Sequence, residues 1–169
     1  MSILSNSVPI LWHNETDCEK TATQLAHQLQ NFLPQFRIFH IWLEGDLGTG
    51  KTTFTRYLLR HLGYLGKVKS PTYTLCEPYE IYINQQAYFL HHFDLYRMNS
   101  PQEWEEAGFK DILTNPGICL IEWPDKAEGT LPTPDVIFQL NYLNETQRTV
   151  NIFPNSSNGQ LLMKSMISF

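Results

Sequence analysis

Between Thr16 and Leu33 the apolar residues Ala22, Leu25, Ala26, Leu29, Phe32 and Leu33 recur at three- and four-residue intervals, which gathers them on one face of an amphipathic helix. Thr16 and Glu19 make a capping box at its start, and Pro34 marks its end. The period then changes. Arg37 to Leu43 is a short aromatic and β-branched run that stops at Gly45 and reads as a buried strand. After Lys51 a helical pattern returns through Phe54, Tyr57, Leu58 and Leu62 and closes near Gly63. Further strands are predicted at Leu75 to Ile83, Ala87 to Phe93, Ile118 to Ile121, Val136 to Leu143 and Thr149 to Phe153, separated by Asn, Gly and Pro signals. Ser100 to Leu113 opens on Ser-Pro and predicts one or two short helices broken at Gly108. Together these elements predict an α/β fold with a mixed, mostly parallel central sheet flanked by helices. Residues 1–154 read as one domain. Residues 155–169 pass through a polar link, Asn155 to Gly159, into an apolar tail whose structure the pattern does not decide.

A length of 169 residues holds one domain with a sizeable core. With 42% hydrophobic and 17% charged residues, and no apolar run near the roughly 18 needed to span a bilayer, the expectation is a soluble protein without a membrane partner. The segment beginning at Met1 lacks the basic and apolar regions of a secretory leader, so the cytoplasm is the expected compartment. Cys18, Cys76 and Cys119 are widely spaced and odd in number, which suits packing in a reducing environment better than a disulfide framework. A net charge of -5, with only 12 Lys and Arg, argues against a dedicated nucleic-acid grip and leaves any RNA contact local or delivered by a partner. The basic stretch at Lys67 and Lys69 reads as a solvated loop, with contact to tRNA or to an acidic partner surface as the alternative.

The densest chemical signal is Gly45, Asp46, Leu47, Gly48, Thr49, Gly50, Lys51 and Thr52, followed by Thr53. Glycines at this spacing, between a strand and a helix, let successive amides turn toward phosphate oxygens at the positive end of the helix. Lys51 would supply a point charge between β- and γ-phosphates, and the Thr52 hydroxyl would bind Mg²⁺. The predicted fold is therefore that of a P-loop NTPase. A second acidic ligand is expected at the end of a neighbouring strand, and both Glu122 and Asp94 occupy such a position. No Asn-Lys-x-Asp motif for guanine occurs, so ATP is the expected nucleotide. No cluster of arginines follows the second acid, which leaves a small-molecule kinase without support.

Taken together, the loop at Gly45 to Phe54, Ser70-Pro71-Thr72-Tyr73-Thr74-Leu75, His92-Phe93-Asp94-Leu95-Tyr96-Arg97 and Ile121-Glu122-Trp123-Pro124 resemble the TsaE (YjeE) family, in motif order over roughly residues 15–135. The resemblance implies a bacterial cytoplasmic ATPase that supports threonylcarbamoyladenosine formation in tRNA. It implies that TsaB and TsaD proteins carry out the transfer as partners. It also implies that Lys51 and Thr52 serve phosphate and Mg²⁺, that Glu122 is the strand-end metal carboxylate, and that Asp94 is a second functional acid. Thr72 sits where a switch-like loop could reach the γ-phosphate, and Trp123 follows the metal acid beside the nucleotide. Arg97 is open between a charge-stabilising role, a partner contact and a surface ion pair. Thr49 departs from the family pattern, in which a smaller alanine is common. Two other classes remain at this point: a nucleotide-gated binding module and a small P-loop kinase.

Overall fold

The computed structural model describes residues 7–167. The N-terminal segment used for the leader reading, and residues 168–169 of the apolar tail, lie outside the described residues. The chain runs through β1 (Val8–Trp12), α1 (Glu15–Phe36), β2 (Ile38–Glu44), α2 (Lys51–His61), β3 (Cys76–Ile83), β4 (Gln86–Asp94), α3 (Gln102–Glu106), α4 (Phe109–Ile112), β5 (Gly117–Glu122), a 3-10 turn (Pro124–Ala127), β6 (Val136–Tyr142), β7 (Arg148–Pro154) and α5 (Ser157–Ile167).

The strands make one seven-stranded sheet in the order β1-β7-β6-β2-β5-β4-β3. Its middle, β6-β2-β5-β4, is parallel. β3 and β7 run the opposite way, and β1 regains the common direction through its antiparallel pairing with β7. The sheet is thus mixed, with most strands pointing one way, as the pattern predicts.

Every residue of β5 is buried, because helices or turns cover both faces of the sheet. Ile118 and Leu120 join the larger core with Phe39, Ile41, Leu43 and Phe138 and the apolar faces of α1, α2 and α5. Cys119 and Ile121 point the other way, into a smaller core with Phe93, Leu95, Trp104 and Leu113. All three cysteines are free.

Several expectations are corrected at element ends. The N-cap of α1 is Asn14, whose side chain accepts from the Asp17 N–H, so the predicted Thr16–Glu19 capping box does not form. Glu19 instead lies 3.1 Å from the His61 ring. Pro34 lies inside α1, which continues to Phe36. The missing N–H of Pro34 forfeits one backbone bond, to the Gln30 carbonyl, near the end of the helix. The last turn is held by a Phe32–Phe36 stack at 5.4 Å and by the Arg37 N–H donating to the Leu33 carbonyl at 2.7 Å. β1 is absent from the sequence reading because Pro9 interrupts its five-residue pattern. An edge strand tolerates that proline. In the apolar tail, α5 buries Leu162, Met163 and Met166 in the larger core.

Phe54 is fully buried between Trp12, at 5.8 Å, and Phe138, at 5.2 Å. Phe54→Ala is expected to lower unfolding free energy by about 3–5 kcal/mol in urea denaturation, through lost transfer energy and a residual cavity. Burial also pushes the His40 imidazole below its usual pKa. A lowered histidine pKa means that the unfolded chain takes up the proton first, so stability falls as pH drops below the ordinary histidine value of about 6.5. Denaturation midpoints from pH 7.5 to 5 should show a shallower acid loss in His40→Gln than in the parent.

Candidate functional site

β2 ends at Glu44, and the chain turns back over the sheet edge through Gly45 before α2 begins at Lys51. A Cβ at Gly45 would come within 2.5 Å of the Leu140 carbonyl oxygen and 2.7 Å of Thr49 Oγ1, at a φ of +148°. No other residue fits that corner without shifting the loop. Gly50, at φ 103°, supplies the left-handed turn that starts α2. Thr49 is buried, and its hydroxyl donates to the Asp46 carbonyl at 2.9 Å. The hydroxyl therefore closes the loop internally, which accounts for threonine at that position. Leu47 projects from the loop tip, 66% exposed.

Lys51 is buried on the first turn of α2. Its ammonium donates to the Gly45 carbonyl at 2.6 Å and the Asp46 carbonyl at 2.9 Å. An ammonium has three N–H groups, so one remains for a further acceptor. Burial lowers the lysine pKa, while the nearby Glu122, Asp94 and Asp46 carboxylates oppose that shift. The Trp123 ring lies 4.7 Å from Lys51 Nζ, close enough for a cation–π contact. Thr52 and Thr53 follow on the same helical turn.

The acids arrive from the neighbouring strands. β4 and β5 pair in parallel with Asp94 opposite Glu122, and β5 pairs with β2 with Glu122 opposite Leu43. Both predicted carboxylates thus stand at the edge where the glycine loop opens. Glu122 is buried, and one of its oxygens lies 2.6 Å from His92 Nε2. His92 is also fully buried and its Nδ1 has no partner, so Nε2, which faces a carboxylate, is the donor. Burial pushes the Asp94 carboxyl above the usual aspartate range, an effect partly offset by the Tyr96 N–H donating to Oδ1 at 3.0 Å.

The Thr72 turn lies alongside: the Asp94 N–H donates to the Leu75 carbonyl at 3.0 Å. The Thr72 hydroxyl lies 2.6 Å from that of Ser70, and its recorded hydrogen bond is to that group rather than to Lys51, Asp94 or Glu122. Arg97 lies over the Tyr73 ring at 4.7 Å and forms no ion pair among the described residues. The Tyr96 ring packs at a tilt against Trp123, with ring centroids 5.0 Å apart.

Two residues close to the loop lacked an assigned role in the sequence reading. Arg148 donates to the Thr49 carbonyl from Nε and the Gly48 carbonyl from Nη2, both at 3.2 Å, and to the Asn144 carbonyl at 2.7 Å. It ties the loop to the β6–β7 turn across about a hundred residues of sequence, and no local pattern signals such a contact. His92 stood inside a quoted motif, but only the register of β4 against β5 reveals its bond to Glu122.

As a donor set, the site offers a lysine ammonium, loop amides, threonine hydroxyls and carboxylates. Among the described residues no three His, Cys, Asp or Glu side chains converge as a metal cage. A hard divalent cation held here would complete its shell with water and substrate oxygens, the manner in which Mg²⁺ is bound. Replacing His92 by Phe removes the buried donor to Glu122 while keeping bulk. Equilibrium unfolding should register a loss of about 1–3 kcal/mol, the cost of leaving a buried polar group unpaired.

The sequence model described as "Threonylcarbamoyl adenosine biosynthesis protein TsaE" matches residues 12–150. The protein named tRNA threonylcarbamoyladenosine biosynthesis protein TsaE from Haemophilus influenzae is 40% identical over 125 residues, covering 74% of this chain and 76% of that one. Its namesake from Rickettsia felis is 34% identical over 154 residues, covering 90% and 84%, and that from Bacillus subtilis 32% over 124 residues, covering 73% and 75%. The crystal structure of YdiB from B. subtilis superposes with a TM-score of 0.71 over 95% of this chain and 94% of that one, at 23% identity, a likeness of fold. By the family model and by relatives aligned over most of their length, the chain belongs to the TsaE family.

Proposed function

We propose that this protein is a Mg²⁺-dependent ATPase that supports threonylcarbamoyladenosine formation in tRNA by acting on a TsaB–TsaD transfer complex. The observation that carries the ATPase reading is the placement of Lys51 at a glycine loop beside two strand-end carboxylates, Glu122 and Asp94. Family membership supports the pathway.

In this reading residues 45–50 form a phosphate-binding loop whose amides and helix end receive the anionic phosphates. Lys51 directs its charge and its remaining N–H at the β- and γ-phosphates, with its present carbonyl partners holding it in position. Gly45, Asp46, Leu47, Gly48, Thr49, Gly50 and Thr53 shape the cradle. Thr52 and Glu122 are the residues that would hold Mg²⁺, which when bound neutralises charge on the transferring phosphate. Their hard oxygen donors fit that ion. Asp94 orients the attacking water, and its burial-raised pKa gives it the character of a proton acceptor close to a reacting site. Thr72 reaches the γ-phosphate when its turn closes, and Trp123 covers Lys51 at the mouth.

The mouth also suggests how a partner controls turnover. Tyr73 is 83% exposed beside Arg97, and Leu47 is exposed at the loop tip. A partner seated there would bear on both the Thr72 turn and the loop. Transfer chemistry stays with the partner, and tRNA contact is indirect. The acidic net charge supports that division.

Phosphate release from ATP and Mg²⁺ should rise when TsaB and TsaD proteins are added. Lys51→Ala should lower kcat/KM for hydrolysis by about 10²–10³, the scale for losing one charge-stabilising donor. Equal turnover with and without the partners would remove the partner-controlled reading. In cells depleted of this protein, mass spectrometry of tRNA nucleosides should show modification restored by the parent chain and not by Lys51→Ala.

A further inference from the structure

Charge is unevenly distributed along the chain. Between Leu47 and Cys76 stand five Lys or Arg and no Asp or Glu, which leaves seven cations against all 17 acids elsewhere. That stretch is strongly basic in a protein whose net charge is -5. Lys51 belongs to the site above. The other four cations, Arg56, Arg60, Lys67 and Lys69, are exposed on α2 and the loop that follows it. Arg56 and Arg60 stand one helical turn apart and, with Tyr64, Leu65 and Lys67, wall a cavity of about 330 Å³ that no carboxylate lines. Among the described residues none of the four cations pairs with an acid. We infer that this face docks an acidic protein surface that offers an apolar socket to Leu65. The inference rests on the partner-controlled reading above and gives that partner a second contact besides the mouth.

The loop has a fixed shape. Tyr64 and Val68 pack against the larger core, and the Tyr64 ring meets Tyr79 edge-on at 4.9 Å. The Tyr79 hydroxyl accepts from the Lys69 N–H at 2.9 Å and donates to the Lys69 carbonyl at 3.0 Å. With both flanks anchored, Leu65 is left 90% exposed between them. A single exposed leucine is ordinary on a protein surface. One held in a cavity wall among unpaired cations is an apolar knob inside a charged rim, the layout of a protein interface. Like charges gathered on one face repel one another, and an acidic surface offsets that repulsion and steers the approach.

RNA is the other polyanion of suitable charge, and the face suits it less well. Four cations fall short of the roughly six to ten phosphate contacts of a duplex grip. Bases are held on free aromatic faces, yet Arg60 lies over the Tyr57 ring at 5.9 Å and Tyr64 is engaged with Tyr79. A phosphate backbone has no socket for Leu65. Position in the chain also favours a controlling partner. Lys69 comes three residues before Thr72, so a partner that grips the loop holds the root of the turn that the proposed function brings to the γ-phosphate.

Biolayer interferometry of the full chain on immobilised TsaB–TsaD complex, with ATP and Mg²⁺ between about 50 and 200 mM NaCl, tests the inference. The double variant Arg56→Glu with Lys67→Glu is expected to bind at least about tenfold more weakly than the parent, with a flatter salt dependence. Leu65→Ser is expected to lose about tenfold through faster dissociation, with the salt dependence kept. Circular dichroism and partner-free ATP hydrolysis should stay at parental values in both, since none of these side chains lies in the nucleotide site. Parental affinity in either variant overturns the docking face and leaves partner control standing. If the double variant keeps the complex but loses unmodified tRNA in filter binding, the face is an RNA grip and the inference fails. If the parent chain itself does not bind the complex, the partner-controlled reading fails, and this inference with it.

Discussion

The parallel register of β4, β5 and β2 is the constraint on which the site depends. It places Asp94 opposite Glu122 and Glu122 opposite Leu43, two residues before the loop begins at Gly45. Parallel strands end at a common edge, so the segments that follow all three open there. A one-residue slip of β5 would exchange Ile118 and Leu120 with Cys119 and Ile121 between the two cores and turn Glu122 to the opposite face. Because both faces of β5 are packed, that slip is costly, and the core that stabilises the fold also aims the carboxylates.

The same edge concentrates groups that folding alone would avoid. Asp94 and Glu122 are like charges on paired residues, and burial works against ionisation at Asp94 and against charge at Lys51. Trp123 adopts a left-handed conformation, φ 57° and ψ 51°, which is uncommon for a side chain of its bulk. Local compensation is specific: His92 for Glu122, the Tyr96 amide for Asp94, loop carbonyls and the Trp123 ring for Lys51. In the proposed function, the charges of an anionic substrate and a cation would complete that balance.

Where local pattern and tertiary packing agree, the reading from sequence is close. The strands read at Leu75–Ile83, Ala87–Phe93 and Thr149–Phe153 correspond to β3, β4 and β7 with small end shifts, because alternating burial imposes a period of two that survives in the residues. The disagreements are also instructive. Thr16 and Glu19 satisfy the spacing of a capping box, yet Asn14, two residues earlier, caps the helix and Glu19 lies against His61. Pro34 carries the local signal of a helix end, but the Phe32–Phe36–Phe39 stack rewards two more residues of helix.

The sequence by itself determined the kind of chemistry on offer. The glycine spacing with Lys51 and Thr52, the strand-end acids and the periods of the main elements are all local properties, set by backbone freedom and side-chain alternation over a few residues. Only the tertiary structure decided which groups meet. The His92–Glu122 bond spans 30 positions and the Arg148–Gly48 bond 100. Such contacts follow from strand order and packing, and no short stretch of residues encodes them.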